Sequence, residues 1–259
     1  MTVSKVDLSV QGHVGIMTIN SPPANALSTT VLDDLANRLD EIEKDASIKV
    51  VVLKGEGRFF SAGADIKEFT ALGTQEAYQA LAEKGQALFD RIEQFKIPFI
   101  AAVHGAALGG GLELAMACHM RIVTENAKLG LPELNLGIIP GFAGTQRLPQ
   151  YVGLAKAYEM ILSGEPIDGK KAFAYGLANQ VVQEEALETT ALQLAEKIAA
   201  KSKPSISHVM TLIRYAKSSQ FKDGVQAEAK AFGEVFQTED AKEGVQAFIE
   251  KRQPTFQDK

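Results

Sequence analysis

Apolar and polar positions along the chain alternate with two different periods, and the switches between them mark out the elements. Val6 to Val10 and Val14 to Ile19 alternate about Gln11-Gly12, which predicts a β-hairpin. Ser21-Pro-Pro-Ala interrupts it. Ser28 then stands where it can cap a helix whose apolar residues Val31, Leu32, Leu35, Leu39 and Ile42 recur at helical spacing. Lys49 to Lys54 reads as a short buried strand ending at Gly55. Phe59-Phe-Ser-Ala-Gly-Ala-Asp65 then leads into a further helix. The segment from Thr70 to Gln94 is polar and helical with a break at Gly73, the pattern of a mobile lid. A strand is expected over Ile97 to Val103, followed by a glycine turn and a helix from Leu108 onward. Further strands are expected at Met120 to Thr124 and Lys128 to Leu131. Pro132 to Pro140 reads as a loop before a helix through Gln146 and Arg147. From Glu184 the pattern becomes almost purely helical, and Ser202-Lys-Pro204 is the best internal boundary. Strands recurring between helices predict an α/β fold of repeated β-β-α units over residues 1–200 and a helical region over 201–259.

Within this pattern, Ile97 to Cys118 (IPFIAAVHGAALGGGLELAMAC) is unusual. Its glycines would let backbone N–H groups approach a ligand, and Glu113 is a carboxylate on an otherwise apolar helix. A membrane span does not accommodate four glycines, a proline, a histidine and a glutamate. The glycines also lack the G-x-G-x-x-G spacing of a dinucleotide loop and the G-K-[ST] end of a P-loop. Taken alone, the segment is equally a tightly packed strand–turn–helix whose glutamate complements the positive helix N-terminus.

Composition narrows the classes. A net charge of −5 leaves no basic footprint for nucleic acid or an acidic membrane surface. The single cysteine, Cys118, excludes an intrachain disulfide and fits a reducing compartment, and its apolar neighbours suit a buried thiol rather than a nucleophile. Four scattered histidines with no Cys/His cluster argue against a metal site, and His104 and His119 read as core or turn residues. The N-terminus begins in strand-like alternation without a signal or transit pattern, so a cytoplasmic location is expected.

Three segments carry the candidate chemistry in order: FFSAGADIKEF from Phe59, AALGGGLELAMAC from Ala106, and LPELNLGIIPGFAGTQRLP from Leu131. With PPANALS before them and EDAKEGVQAFIEKRQPTF after them, the chain resembles the enoyl-CoA hydratase/isomerase (crotonase) superfamily over essentially its whole length. The resemblance is to a bacterial-type enoyl-CoA hydratase. It implies a crotonase-like spiral of β-β-α repeats with C-terminal helices that build trimers, commonly paired into hexamers. It also implies action on acyl thioesters of coenzyme A, with CoA as part of the substrate and no separate cofactor.

By motif position, the resemblance places the two N–H donors of an oxyanion hole at Ala62 and Gly110. Such donors stabilise the negative charge that develops on the thioester oxygen. Glu113 would orient and activate water for attack at Cβ, and Glu133 would protonate Cα. Asp65 would cap or fix its loop. Ala24 and Ala26 would contact the adenine end of CoA through their backbone. Arg58, Phe60, Ala64 and Ile66 would line the CoA and acyl entrance, and Phe248 and Lys251 would reach CoA from an adjacent subunit. Phe142 stands where many members of the family carry a small residue, which would alter the acyl pocket. The expected activity is reversible hydration of trans-2-enoyl-CoA in acyl-CoA degradation such as β-oxidation. The enzymatic alternative is a Δ3,Δ2-enoyl-CoA isomerase, which usually needs one of the two acids. An RNA-binding homologue is the non-enzymatic alternative, and the net charge opposes it.

Overall fold

The computed structural model describes residues 4–69, 74–217 and 238–259, together with 226, 228, 230–232, 234 and 235. The strands are β1 (Val6–Gln11), β2 (Val14–Ile19), β3 (Val50–Gly55), β4 (Phe99–Val103), β5 (Ala106–Leu108), β6 (Met120–Thr124), β7 (Lys128–Gly130) and β8 (Gln180–Val182). The hairpin β1–β2 is antiparallel with Gln11 opposite Val14. β3, β4, β6 and β8 extend it in parallel, in the order β1-β2-β3-β4-β6-β8. β5 and β7 pair with each other in a second, parallel sheet, and Ser61 adds a bridge to Ala107.

The helices are α1 (Thr29–Lys44), α2 (Ile66–Phe69), α3 (Gln75–Glu93), α4 (Gly110–Ala117), α5 (Gly144–Ser163), α6 (Gly169–Ala174), α7 (Leu187–Ala199), α8 (Lys203–Leu212) and α9 (Glu239–Glu250). The repeat is visible in the order of elements. A strand of the large sheet is followed by a strand of the small sheet and then by a helix. This gives β4-β5-α4, and then β6-β7 leading into a turn of 3-10 helix over Glu133–Leu136 and α5.

The core follows from strand periodicity. In β3, Val51 and Leu53 face one side with Phe99, Val103 and the buried faces of α1, α3 and α4, while Val50 and Val52 face the other with Ile100, Ile122 and α7. A parallel sheet covered on both faces has strands that are apolar throughout, which is why KVVVLK reads as a run rather than an alternation. In α1, the Ser28 hydroxyl accepts a hydrogen bond from the Val31 amide at 3.3 Å, and the helix buries Val31, Leu32, Leu35, Leu39 and Ile42. Each such side chain contributes about 1.5–3 kcal/mol on full burial.

Two expectations change. The span Thr70 to Gln94 is not wholly a lid, because Leu88, Phe89 and Ile92 at the end of α3 are buried in the core; residues 70–73, with the expected break at Gly73, lie outside the described residues. The segment after Gly105 is not only a turn, because Ala106–Leu108 forms a strand through its pairing with β7. Beyond α7, the chain end returns to the sheet. Lys49 Nζ lies 2.7 Å from Asp258 and donates to the Lys201 carbonyl at 3.1 Å.

Candidate active site

The site forms where the two sheets meet the start of α4. Gly109 enters the helix at φ 50° with no side-chain cap, which leaves the first N–H groups of α4 open. The glycine triplet is required by close approach. A Cβ on Gly109 would lie 3.0 Å from a Glu133 carboxylate oxygen, and one on Gly110 would lie 3.3 Å from the Phe142 ring and 3.4 Å from the Ala64 nitrogen. On Gly111 it would meet the Ser61 carbonyl oxygen at 2.3 Å, a contact no side chain can make.

These approaches correct the oxyanion assignment. The Ala62 amide donates to the Ala24 carbonyl at 2.9 Å, so it is not available to a thioester. The Ala64 amide lies beside Gly110, and neither of these two N–H groups donates to a protein acceptor among the described residues. Ala64 and Gly110 thus carry the adjacent N–H groups that remain open at the start of α4. Ala64 is half-buried, at the edge of the loop that Asn25 organises. Asn25 is buried at a left-handed φ of 51°; its amide nitrogen donates to the Glu56 and Phe59 carbonyls, and its own carbonyl accepts from the Ser61 hydroxyl. Sequence reasoning missed Asn25. Its one signal is a polar residue within an otherwise small and apolar PPANALS segment.

Glu113 is 1% exposed. One oxygen, Oε1, accepts from the Phe142 amide at 2.8 Å and the Gly144 amide at 2.7 Å. Ala143 between them takes a left-handed φ of 72°, which turns both flanking amides toward one acceptor. This loop is fastened from α3 and α5. Gln86 donates to the Gly141 carbonyl at 2.9 Å, and Arg147 donates to the Phe142 carbonyl at 2.9 Å while its guanidinium also pairs with Asp90 and Glu93. Neither Gln86 nor Arg147 was distinguishable in the sequence from an ordinary helix residue.

Glu133 opens the 3-10 turn that Gly137 ends at φ 71°, so Pro132 to Pro140 is only partly loop. Its Oε2 is buried with no hydrogen-bond partner among the described residues, an arrangement that calls for a donor from outside the chain. Burial pushes Glu113 up to about 7; the Gly144 and Phe142 amides and the Arg147 charge oppose this, and the Glu133 charge adds to it. Burial also raises Glu133. Burial thus disfavours the ionised form of both carboxyls, and at Glu113 the neighbouring Glu133 charge adds to it.

The remaining predicted residues divide. Phe60 is fully buried in the core and cannot line an entrance; it backs the loop from behind. Arg58 is exposed with its guanidinium over the Phe59 ring at 4.9 Å, and Ile66 is 41% exposed. The Asp65 carboxylate accepts from the Glu68 amide, a capping contact on α2. The Ala24 and Ala26 carbonyls accept from the Ala62 and Ser28 amides. Phe142 is buried against Phe89 and Gly85. The Phe248 side chain lies outside the described residues. Lys251 is exposed just past α9, and none of the described contacts joins it to the acid pair. Cys118 is buried, with its thiol pushed up to about 12 by burial, and is inert. The His104 ring bonds the Gly57 carbonyl, and His119 accepts from the Phe99 amide. Among the described residues no group of His, Cys, Asp and Glu could hold a metal ion, and no helix is long and apolar enough to cross a membrane.

Residues 9–259 match the family model described as enoyl-CoA hydratase/isomerase. The chain belongs to this family. A Bacillus subtilis relative named "Probable enoyl-CoA hydratase" is 56% identical over 255 residues, spanning 98% of this chain and 99% of the relative. A "Short-chain-enoyl-CoA hydratase" of Clostridium acetobutylicum is 40% identical, covering 97% of each chain. The crystal structure of an enoyl-CoA hydratase from Bacillus anthracis superposes with a TM-score of 0.94 at 38% identity, covering 98% of this chain and 100% of that one. The family's crotonase fold is thus the fold of this chain.

Proposed function

We propose that this chain is an enoyl-CoA hydratase, adding water across the double bond of a trans-2-enoyl-CoA to give a 3-hydroxyacyl-CoA. The observation that carries this reading is the placement of two buried carboxyls, Glu113 and Glu133, beside an unengaged pair of N–H donors, Ala64 and Gly110. The thioester oxygen accepts from both donors, which stabilises it as enolate charge develops. Glu113 is fixed through Oε1, so its Oε2 receives the proton of the attacking water as the new C–O bond forms at Cβ. Glu133 gives its proton to Cα. The pair begins and ends with one proton, and transfer between the acids restores the starting state. Coenzyme A enters and leaves as part of the substrate.

The test is loss of the conjugated-thioester absorbance of crotonyl-CoA with purified protein and no added metal or nucleotide. Glu113→Gln and Glu133→Gln should each lower kcat by about 10²–10⁴-fold, the usual range for a positioned acid or base. Full turnover in both variants would reject the mechanism. A protein that only moves the double bond of a 3-enoyl-CoA into conjugation would be the isomerase instead.

The further expectations belong to this reading. They are a trimer or a pair of trimers, a cytoplasmic location and a place in acyl-CoA degradation. The exposed Leu154, Tyr158 and Leu162 on one face of α5 support burial against another copy of the chain.

A further inference from the structure

Gly85 sits inside α3, where glycine weakens a helix. The structure shows what it makes room for. A Cβ on Gly85 would lie 2.3 Å from two carbons of the Phe142 ring. The opposite edge of that ring lies 3.3 Å from the place a Gly110 Cβ would occupy, and the ring makes a T-shaped contact with Phe89 at 5.3 Å between centroids. The ring therefore reaches from α3 to the first turn of α4. It does so on the loop whose amides hold Glu113.

This inference rests on the acyl-thioester reading of the site. With the carbonyl oxygen on Ala64 and Gly110 and Cβ at Glu113, an acyl chain longer than the enoyl unit continues past Glu113 toward the 141–144 loop and α3. Phe142 occupies that path. We infer that Phe142, seated on Gly85, is the end wall of the acyl site and restricts the protein to short 2-enoyl thioesters of crotonyl size. Gly85 is the positioning half of the pair, because any side chain there would expel the ring.

Calorimetric binding of two non-reacting thioesters, butyryl-CoA and octanoyl-CoA, tests the wall separately from hydration. If the four additional methylenes were buried, octanoyl-CoA would bind on the order of 100-fold more tightly. The wild-type protein is expected to bind the two within about 3-fold, because the Phe142 ring stands in the path of the added chain. Phe142→Ala should shift the ratio toward octanoyl-CoA by at least about 10-fold, and Phe142→Leu by less. Phe142→Leu, close in volume and fully apolar, carries the test if the alanine variant does not fold. A wild-type protein that already binds octanoyl-CoA about 100-fold more tightly would overturn the inference. So would an unchanged ratio in a folded variant. Failure to hydrate crotonyl-CoA with the binding contrast intact would remove the proposed reaction and leave the wall standing.

Discussion

At Glu113, burial opposes two backbone N–H donors and prevails, since the carboxyl sits at about 7 against an ordinary value of 4.5. The folded protein thus prefers the neutral form. That preference contributes fully to stability below the ordinary value and is lost as pH rises through about 7. Glu113→Gln keeps an oxygen for the Phe142 and Gly144 amides and never ionises. It should be more stable than the wild type by up to about 3 kcal/mol at pH 8 and by less than about 1 kcal/mol at pH 5. Urea denaturation at the two pH values measures this, and an equal difference at both would contradict the shift. Glu113, Glu133 and Gly110 were legible in the sequence because each belongs to a spaced motif. The choice between Ala62 and Ala64 was not. Two alanines flanking Gly63 look alike in one dimension, and only the bond from the Ala62 amide to the Ala24 carbonyl separates them.

Three helices act together around the acid pair. α4 presents Glu113, α5 begins with the Gly144 amide that holds it, and α3 anchors the loop between them through Gln86, Asp90 and Glu93. Arg147 is the joint. Its side chain is 5% exposed, and its removal takes a donor from the Phe142 carbonyl and the Arg147 charge from Asp90 and Glu93. Arg147→Ala should cost about 1–3 kcal/mol in stability by urea denaturation, and it should lower kcat more than it raises KM, because Glu113 loses its register. A variant with wild-type stability and kcat would show that the joint carries no load. The legibility of elements follows their own periodicity. α1 was readable from its cap through its apolar stripe because both are local. β5 was not, since three small residues become a strand only by pairing with β7.

On the scale of the molecule, the central strands of the large sheet are covered on both faces, by α1, α3 and α4 on one side and α7 on the other. A groove of about 710 Å³ between α1, α3 and α8 shares no lining residue with the acid pair. The second half of α5, beyond the break at Gly153, instead leaves Leu154, Tyr158 and Leu162 between 64% and 68% exposed in one stripe. Three large apolar side chains at four-residue spacing form a face that water does not favour. Light scattering of the wild type should give the mass of a trimer or a multiple of it, and Leu154→Glu with Leu162→Glu should lower that mass toward a single chain. A monomeric wild type would refute the assembly. This face escaped the sequence reading because apolar residues at helical spacing look the same whether they meet the chain's own core or a second copy.

The repeat that builds the spiral also sets the spacing of the chemistry. Glu113 follows β5 by five residues and Glu133 follows β7 by three, while β5 and β7 are locked in parallel with Leu108 opposite Gly130 and the Gly109 amide continuing the ladder to the Gly130 carbonyl. Main-chain pairing thus serves as a ruler for the two acids. A one-residue slip of that ladder would displace one acid by about 3.3 Å and reverse every side chain on the strand. Because the ruler is backbone, the side chains at 113 and 133 can be exchanged without resetting it. The scaffold is in this sense a socket, whose two side-chain positions are set by main-chain pairing and not by the groups that fill them.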